Sequence, residues 1–127
     1  MNLIIELGGT KINFFVTEKS VMRSKISVPT TSPDDFKDYV VSKFGGQLIT
    51  KIILACFGPI SFDSHNYGEI LNTPKKFWRH VNIYDWLKLN VCEDINLVTD
   101  VAMPAIGAIE KYSLEDSFFS YITIGTG

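Results

Sequence analysis

The stretch KIILACFGPI, residues 51–60, restricts the fold more than any other part of the chain. From Ile52 to Phe57 every residue is apolar. A strand with one face in water alternates polar and apolar side chains; one that is apolar on both sides must be covered on both. Such a strand belongs at the centre of a parallel or mixed sheet with helices packed on it. Gly58-Pro59 ends the run, and a second run of the same kind, INLVTD at residues 95–100, ends on an acid.

The remaining pattern fits around these two strands. Residues 3–6, 12–16 and 25–28 read as strands, the third more exposed and ending at Pro29. A helix should follow. Ser32 can cap it, Pro33 suits its first position, Asp34 and Asp35 favour the positive end of its dipole, and Gly45-Gly46 stops it. Phe36, Tyr39, Val40 and Phe44 would share one face. Residues 61–82, rich in Asn, Gly, Pro and His, read as irregular. A short helix is expected at 84–89 and another near 103–112, where Pro104 fits only in the first turn. FFSYITIG, residues 118–125, would be a last strand. Strands alternating with helices in this way predict an α/β domain with a mixed sheet.

A chain of 127 residues can bury about two thirds of its unfolded surface, enough for one core, so a single domain is expected. The net charge of −2 gives no general attraction to nucleic acid or to an anionic membrane. Cys56 and Cys92 show no CxxC spacing and read as structural thiols of a reducing compartment. MNLIIELGG lacks the basic and long apolar regions of a signal peptide, and no apolar run approaches the ~20 residues of a membrane span. The expectation is a cytoplasmic protein.

Polar residues cluster just past the C-terminal ends of the expected strands: Glu6 to Lys11, Gly58-Pro59, Asp100, and Gly125 to Gly127. Ligands of open α/β sheets bind outside those ends. Gly8 and Gly9 let backbone N–H groups approach an anion, Thr10 adds a hydroxyl and Lys11 a positive charge. Glu6 would repel a phosphate directly but can hold a hydrated Mg2+ beside one. The stretch is neither a GxxxxGK[ST] loop nor GxGxxG, since a strand follows it. Taken alone, it is equally well a tight hairpin whose glycines serve only the turn. A second glycine-hydroxyl turn after an apolar strand, Gly125-Thr126-Gly127 in YITIGTG, could again offer amides and a hydroxyl to a phosphate and shifts the balance towards phosphate binding.

IELGGTK, FGPI, GEILNTPKKFW, TDVAMPAIGAIE and TIGTG, in that order, resemble the N-terminal half of a ROK-family sugar kinase, its fructokinase branch above all. The resemblance covers essentially the whole chain. It implies an actin-like ATPase (ribonuclease H-like) domain, a mixed five-stranded sheet with helices on both faces. It also implies that residues 1–127 form one N-terminal domain, with a second, nucleotide-covering domain absent from the chain. The implied cofactors are ATP and Mg2+, and the implied reaction is γ-phosphoryl transfer to a sugar hydroxyl. Gly8, Gly9, Thr10, Lys11, Gly125, Thr126 and Gly127 would bind ATP phosphates, with Glu6 holding Mg2+ through water. Asp100 would be the general base. Gly58, Pro59, Asn72, Thr73, His80 and Asp100 would contact the sugar, while Trp78 either borders the pocket or packs in the core. The implied partners are a sugar and ATP, with no nucleic acid or membrane, and a homodimer is compatible with the pattern.

This chain has Ala102 where such kinases usually carry Asn, two residues after the base. That departure supports the alternative of a non-catalytic sugar-sensing or interaction module of the same family. The family's transcriptional repressors carry a helix-turn-helix ahead of the first glycine motif, and here that motif begins at Glu6.

Overall fold

The computed structural model describes residues 1–100 together with Ala102 and Met103. β1 (Asn2–Leu7) runs antiparallel to β2 (Lys11–Glu18), which pairs in turn with β3 (Val21–Pro29). On its other side β1 is parallel to β4 (Lys51–Cys56), and β4 is parallel to β5 (Ile95–Thr99). The mixed five-stranded sheet has the order β3-β2-β1-β4-β5. β1 and β4, the most apolar strands, lie at or beside its middle, as two-sided burial requires.

Register sorts the side chains between the two faces. Leu3, Ile5 and Leu7 lie opposite Val16, Phe14 and Ile12 on one side and Ile52, Leu54 and Cys56 on the other. All but Val16 are buried. Each large aliphatic side chain removed from water here is worth roughly 1.5–3 kcal/mol before entropy costs. α1 (Pro33–Phe44) packs on this face through Phe36, Val40 and Phe44. The Phe14 ring sits 6.1, 5.2 and 5.5 Å from those of Phe36, Tyr39 and Phe44. α2 (Ile83–Asn90) adds Ile83 and Leu87 to the same cluster, and its Trp86 meets Phe36 edge-on at 6.4 Å. Both helices therefore cover one face. The helix expected to cover the other begins at Ala102–Met103, which are helical; the rest of it and the strand expected at 118–125 lie outside the described residues.

The helix ends follow from local chemistry. Ser32 Oγ accepts from Asp35 N at 3.1 Å, Pro33 opens α1, and Gly45 N closes it on Val41 O at 2.9 Å. Asn82 caps α2 in the same way, its Oδ1 accepting from Asp85 N at 2.9 Å. β3 begins four residues earlier than the expected 25–28, because Lys19 and Ser20 turn the chain with φ of 50° and 63°. Both central residues at positive φ make the two-residue turn whose twist matches paired strands.

Residues 57–82 form an irregular arm folded back on itself. Ser61 N donates to Glu69 O (2.9 Å), Gly68 N to Ser61 O (2.8 Å) and Ile70 N to Val81 O (2.9 Å). Ile70 and Trp78 plug it into the core. Trp78 is the packing residue of the two roles considered for it. Its ring meets Phe57 at 5.7 Å and Phe36 at 6.3 Å, and its Nε1 donates to Thr31 O at 2.8 Å. No helix among the described residues is long and apolar enough to cross a membrane.

Candidate active site

Because β1, β4 and β5 are parallel neighbours, their C-terminal ends share one edge of the sheet. Leu7, Cys56 and Thr99 are in register there. The ladder runs one step further on both sides, with Phe57 N donating to Leu7 O at 2.9 Å and Asp100 N to Cys56 O at 3.1 Å. The glycine turn, Gly58-Pro59 and Asp100 thus emerge side by side.

The glycine turn is tight and tied down from behind. Gly8 N donates to Lys11 O at 3.1 Å. A Cβ on Gly8 would stand 2.8 Å from that carbonyl oxygen, closer than a side-chain carbon can approach. Thr30, at the end of β3, clamps the loop twice: its Oγ1 donates to Gly8 O (2.7 Å) and its N to Thr10 O (2.9 Å). Thr10 and Lys11 are exposed. Glu6 points to the face opposite the aromatic core, where Asn13 Nδ2 donates to its Oε2 at 2.9 Å. Neither Thr30 nor Asn13 stood out in the sequence. Period-two alternation across a hairpin was the signal for Asn13, and nothing local signalled Thr30.

Among the described residues no group of three or more His, Cys, Asp or Glu is arranged to hold a metal. A lone carboxylate beside a tight glycine turn is compatible with Mg2+, which keeps most of its waters and takes one or two protein carboxylates. Glu6 is the candidate ligand, through water.

At the end of β5 the structure decides between two possible caps for the following helix. The Asp100 carboxylate could have capped it. Thr99 does so instead, its Oγ1 accepting from Ala102 N at 3.1 Å. Asp100 is half-buried. Burial, with the Asp100 charge as a second cause, pushes the neighbouring Cys56 thiol far above its ordinary range. Cys56 therefore stays protonated and unreactive, its Sγ 3.4 Å from Phe57 O. Both cysteines are free.

The 70–80 stretch joins this edge through Leu71 N, which donates to Pro59 O at 2.8 Å. Asn72 is exposed, and its side chain makes no hydrogen bond among the described residues. Thr73 is buried; its hydroxyl lies 3.4 Å from Lys75 N, and its carbonyl accepts from Arg79 Nε at 2.6 Å. Arg79, which the sequence did not single out, thereby braces the loop. His80 is exposed at φ 63°, its Nδ1 3.0 Å from Glu69 Oε1. Donation from Asn66 Nδ2, then the bond to His80, hold the Glu69 carboxyl below its ordinary range. The expected second phosphate turn, Gly125, Thr126 and Gly127, lies outside the described residues.

The family model described as "ROK family" matches residues 2–127. The chain belongs to the ROK family. Among curated relatives, a fructokinase of Lactococcus lactis subsp. cremoris is 32% identical over 97% of this chain and 43% of its own length. A fructokinase of Pediococcus pentosaceus is 34% identical over 97% of this chain and 44% of its own length. The chain thus spans less than half of the relatives it matches. Solved ROK structures share the fold. A Streptococcus pneumoniae ROK protein in complex with sucrose superposes with a TM-score of 0.69, at 18% identity over 87% of this chain and 39% of that one. The Streptomyces griseus ROK glucokinase in complex with glucose and AMPPNP gives 0.58, at 18% identity over 85% of this chain and 36% of that one. The actin-like sugar-kinase fold is therefore that of this chain.

Proposed function

We propose that this ROK chain is the N-terminal sugar- and phosphate-binding domain of an ATP-dependent fructokinase, which acts together with a second, nucleotide-covering domain. The observation that carries the reading is the shared edge of β1, β4 and β5, where the glycine turn, Gly58-Pro59 and Asp100 emerge side by side. The fructokinase relatives support fructose as the sugar, and the AMPPNP-bound glucokinase supports a nucleoside triphosphate as the donor.

In this reading Asp100 accepts the proton of the sugar hydroxyl as it attacks the γ-phosphate in line. Thr99 carries the helix cap, which leaves the Asp100 carboxylate available for that proton. Gly9, Thr10 and Lys11 would bind phosphate oxygens through backbone N–H groups, a hydroxyl and a cation, while Gly8, whose N–H is spent on Lys11 O, would keep the turn tight; Gly125, Thr126 and Gly127 are the proposed second set of phosphate contacts. Glu6 would hold Mg2+ through water, and the ion would supply charge neutralisation on the transferring phosphate. Asn72, exposed beside Pro59, offers an amide to sugar hydroxyls. Thr73 shapes the loop beneath it, and His80 borders the pocket. Most of the rate would come from positioning and charge stabilisation. The protein would be cytoplasmic and would need neither nucleic acid nor a membrane.

Ala102 favours a second reading, a non-catalytic sugar-sensing module, since it puts a methyl group where the family pattern has an amide. Residue-resolved backbone amide NMR separates the two. Saturable fructose shifts at residues 72–75 and Asp100, with MgADP shifts at residues 8–11, are the expected result. Fructose shifts with no response to MgADP would favour the sensor, and a dispersed spectrum indifferent to both ligands would count against the kinase domain.

A further inference from the structure

We propose that Asn13 and Ser27 are positioning residues for Glu6, forming a polar rung across three strands that holds its carboxylate in one orientation. The inference rests on the reading of Glu6 as the residue that holds hydrated Mg2+.

Register brings the three together. Glu6 of β1 lies opposite Asn13 of β2, and Asn13 lies opposite Ser27 of β3. Asn13 Nδ2 donates to Glu6 Oε2 at 2.9 Å, and Ser27 Oγ donates to Asn13 Oδ1 at 2.8 Å. The rung has a direction. An amide carries donors on one end and an acceptor on the other. If Asn13 were flipped, its oxygen would face the Glu6 carboxylate and repel it. The Ser27 hydroxyl, donating to the far end, reinforces the orientation that presents Nδ2 to Glu6. On the opposite side Glu6 is paired with Ala55, which has no polar side-chain atom. Among the described residues, Asn13 is therefore the one side chain bonded to the carboxylate, through Oε2, and Oε1 has no partner there.

Strand formation does not explain these residue types, since Asn is depleted in strands and an apolar or β-branched residue would serve β2 better. Their placement is explained by what they do to Glu6. One carboxylate oxygen is occupied and the ring of possible rotamers is reduced, so the other oxygen is aimed before any metal arrives. Residues that orient a metal ligand in this way commonly change metal affinity by about 10–100-fold when removed.

The experiment measures ADP affinity with saturating Mg2+ and with EDTA for the chain and for Glu6→Gln, Asn13→Val, Ser27→Ala and the Glu6→Gln/Asn13→Val pair. Asn13→Val should weaken MgADP binding about tenfold and leave metal-free ADP binding alone. Ser27→Ala should act in the same direction and less. In the Glu6→Gln background, Asn13→Val should cost nothing further. The Asn13 side-chain amide resonances should also move in Glu6→Gln without any ligand. Equal loss with and without metal would make Asn13 merely structural and overturn the proposal, as would unchanged MgADP binding in Asn13→Val when Glu6→Gln loses metal dependence. Full metal dependence in Glu6→Gln, or no MgADP binding by the unsubstituted chain, would overturn the reading of Glu6 itself.

Discussion

The Thr99 hydroxyl accepts a hydrogen bond from Ala102 N at 3.1 Å, closing the first turn after β5 directly around Asp100. The cap satisfies a donor that the helix itself leaves unpaired, so Thr99→Ala should destabilise the chain by about 1 kcal/mol. Thr99→Ser should recover most of that. Urea unfolding of the three proteins measures it, and equal midpoints for all three would mean the cap contributes nothing.

Asp100→Asn keeps the shape of the side chain and removes its basicity. Under the proposed function, turnover of the whole protein should fall by roughly 10²–10⁴-fold while fructose affinity stays within a few-fold. Steady-state rates together with direct sugar titration give the two numbers separately. Wild-type turnover in this variant would remove Asp100 from the proton transfer.

Gly8→Ala places a methyl 2.8 Å from Lys11 O, so the turn must open or the backbone must shift. A cost of about 1–3 kcal/mol is expected, with MgADP binding weakened at the same time. Calorimetric melting and nucleotide titration on one sample should move together.

Trp78→Ala should cost about 3–5 kcal/mol, because the ring is fully buried between Phe57 and Phe36. Trp78→Phe fills much of the volume but leaves Thr31 O without its donor, and should fall between the two. The ordering of the three unfolding midpoints checks both statements.

Glu69 ionises below its ordinary value of 4.5 in the folded chain, chiefly because Asn66 and then His80 bind the carboxylate. Its contribution to stability is therefore fully present above pH 4.5 and is lost as the pH falls through the lower, folded value. Glu69→Gln should narrow the stability gap to wild type as the solution is acidified. Denaturation midpoints collected from pH 7 down to pH 3 would show the two curves converging; parallel curves would contradict it.

Much of this architecture was legible because it rests on local rules. Ser32, Pro33 and Gly45 bound α1 by capping chemistry alone, and the two-sided run at residues 52–57 had to be interior. β3 was read too short because its turn uses Lys19 and Ser20 at positive φ without glycine or asparagine, and because its first five residues are all exposed. An edge strand with no buried alternation leaves no periodic trace. The candidate site was proposed from single residues, and the hydrogen bonds around it were hidden as a network. Glu6, the glycine turn and Asp100 carry their chemistry in their own side chains and turn signals. Asn13, Ser27, Thr30 and Arg79 matter only through partners 7, 14, 22 and 6 positions away. Thr99 was not singled out, since Thr and Asp side by side at a helix start are both good caps and geometry had to choose.

The arm at residues 57–82 closes mainly on its own hydrogen bonds, and Leu71 N to Pro59 O closes it at the sheet edge. The β1–β2 hairpin is secured elsewhere, by Thr30. Under the proposed function, sugar preference and phosphate handling thus lie on two segments, each with its own internal hydrogen bonds, that meet where Phe57 N donates to Leu7 O and Trp78 Nε1 to Thr31 O. On that reading, substitutions on the arm would change which sugar hydroxyls are met and leave the Thr30 clamp on the glycine turn in place.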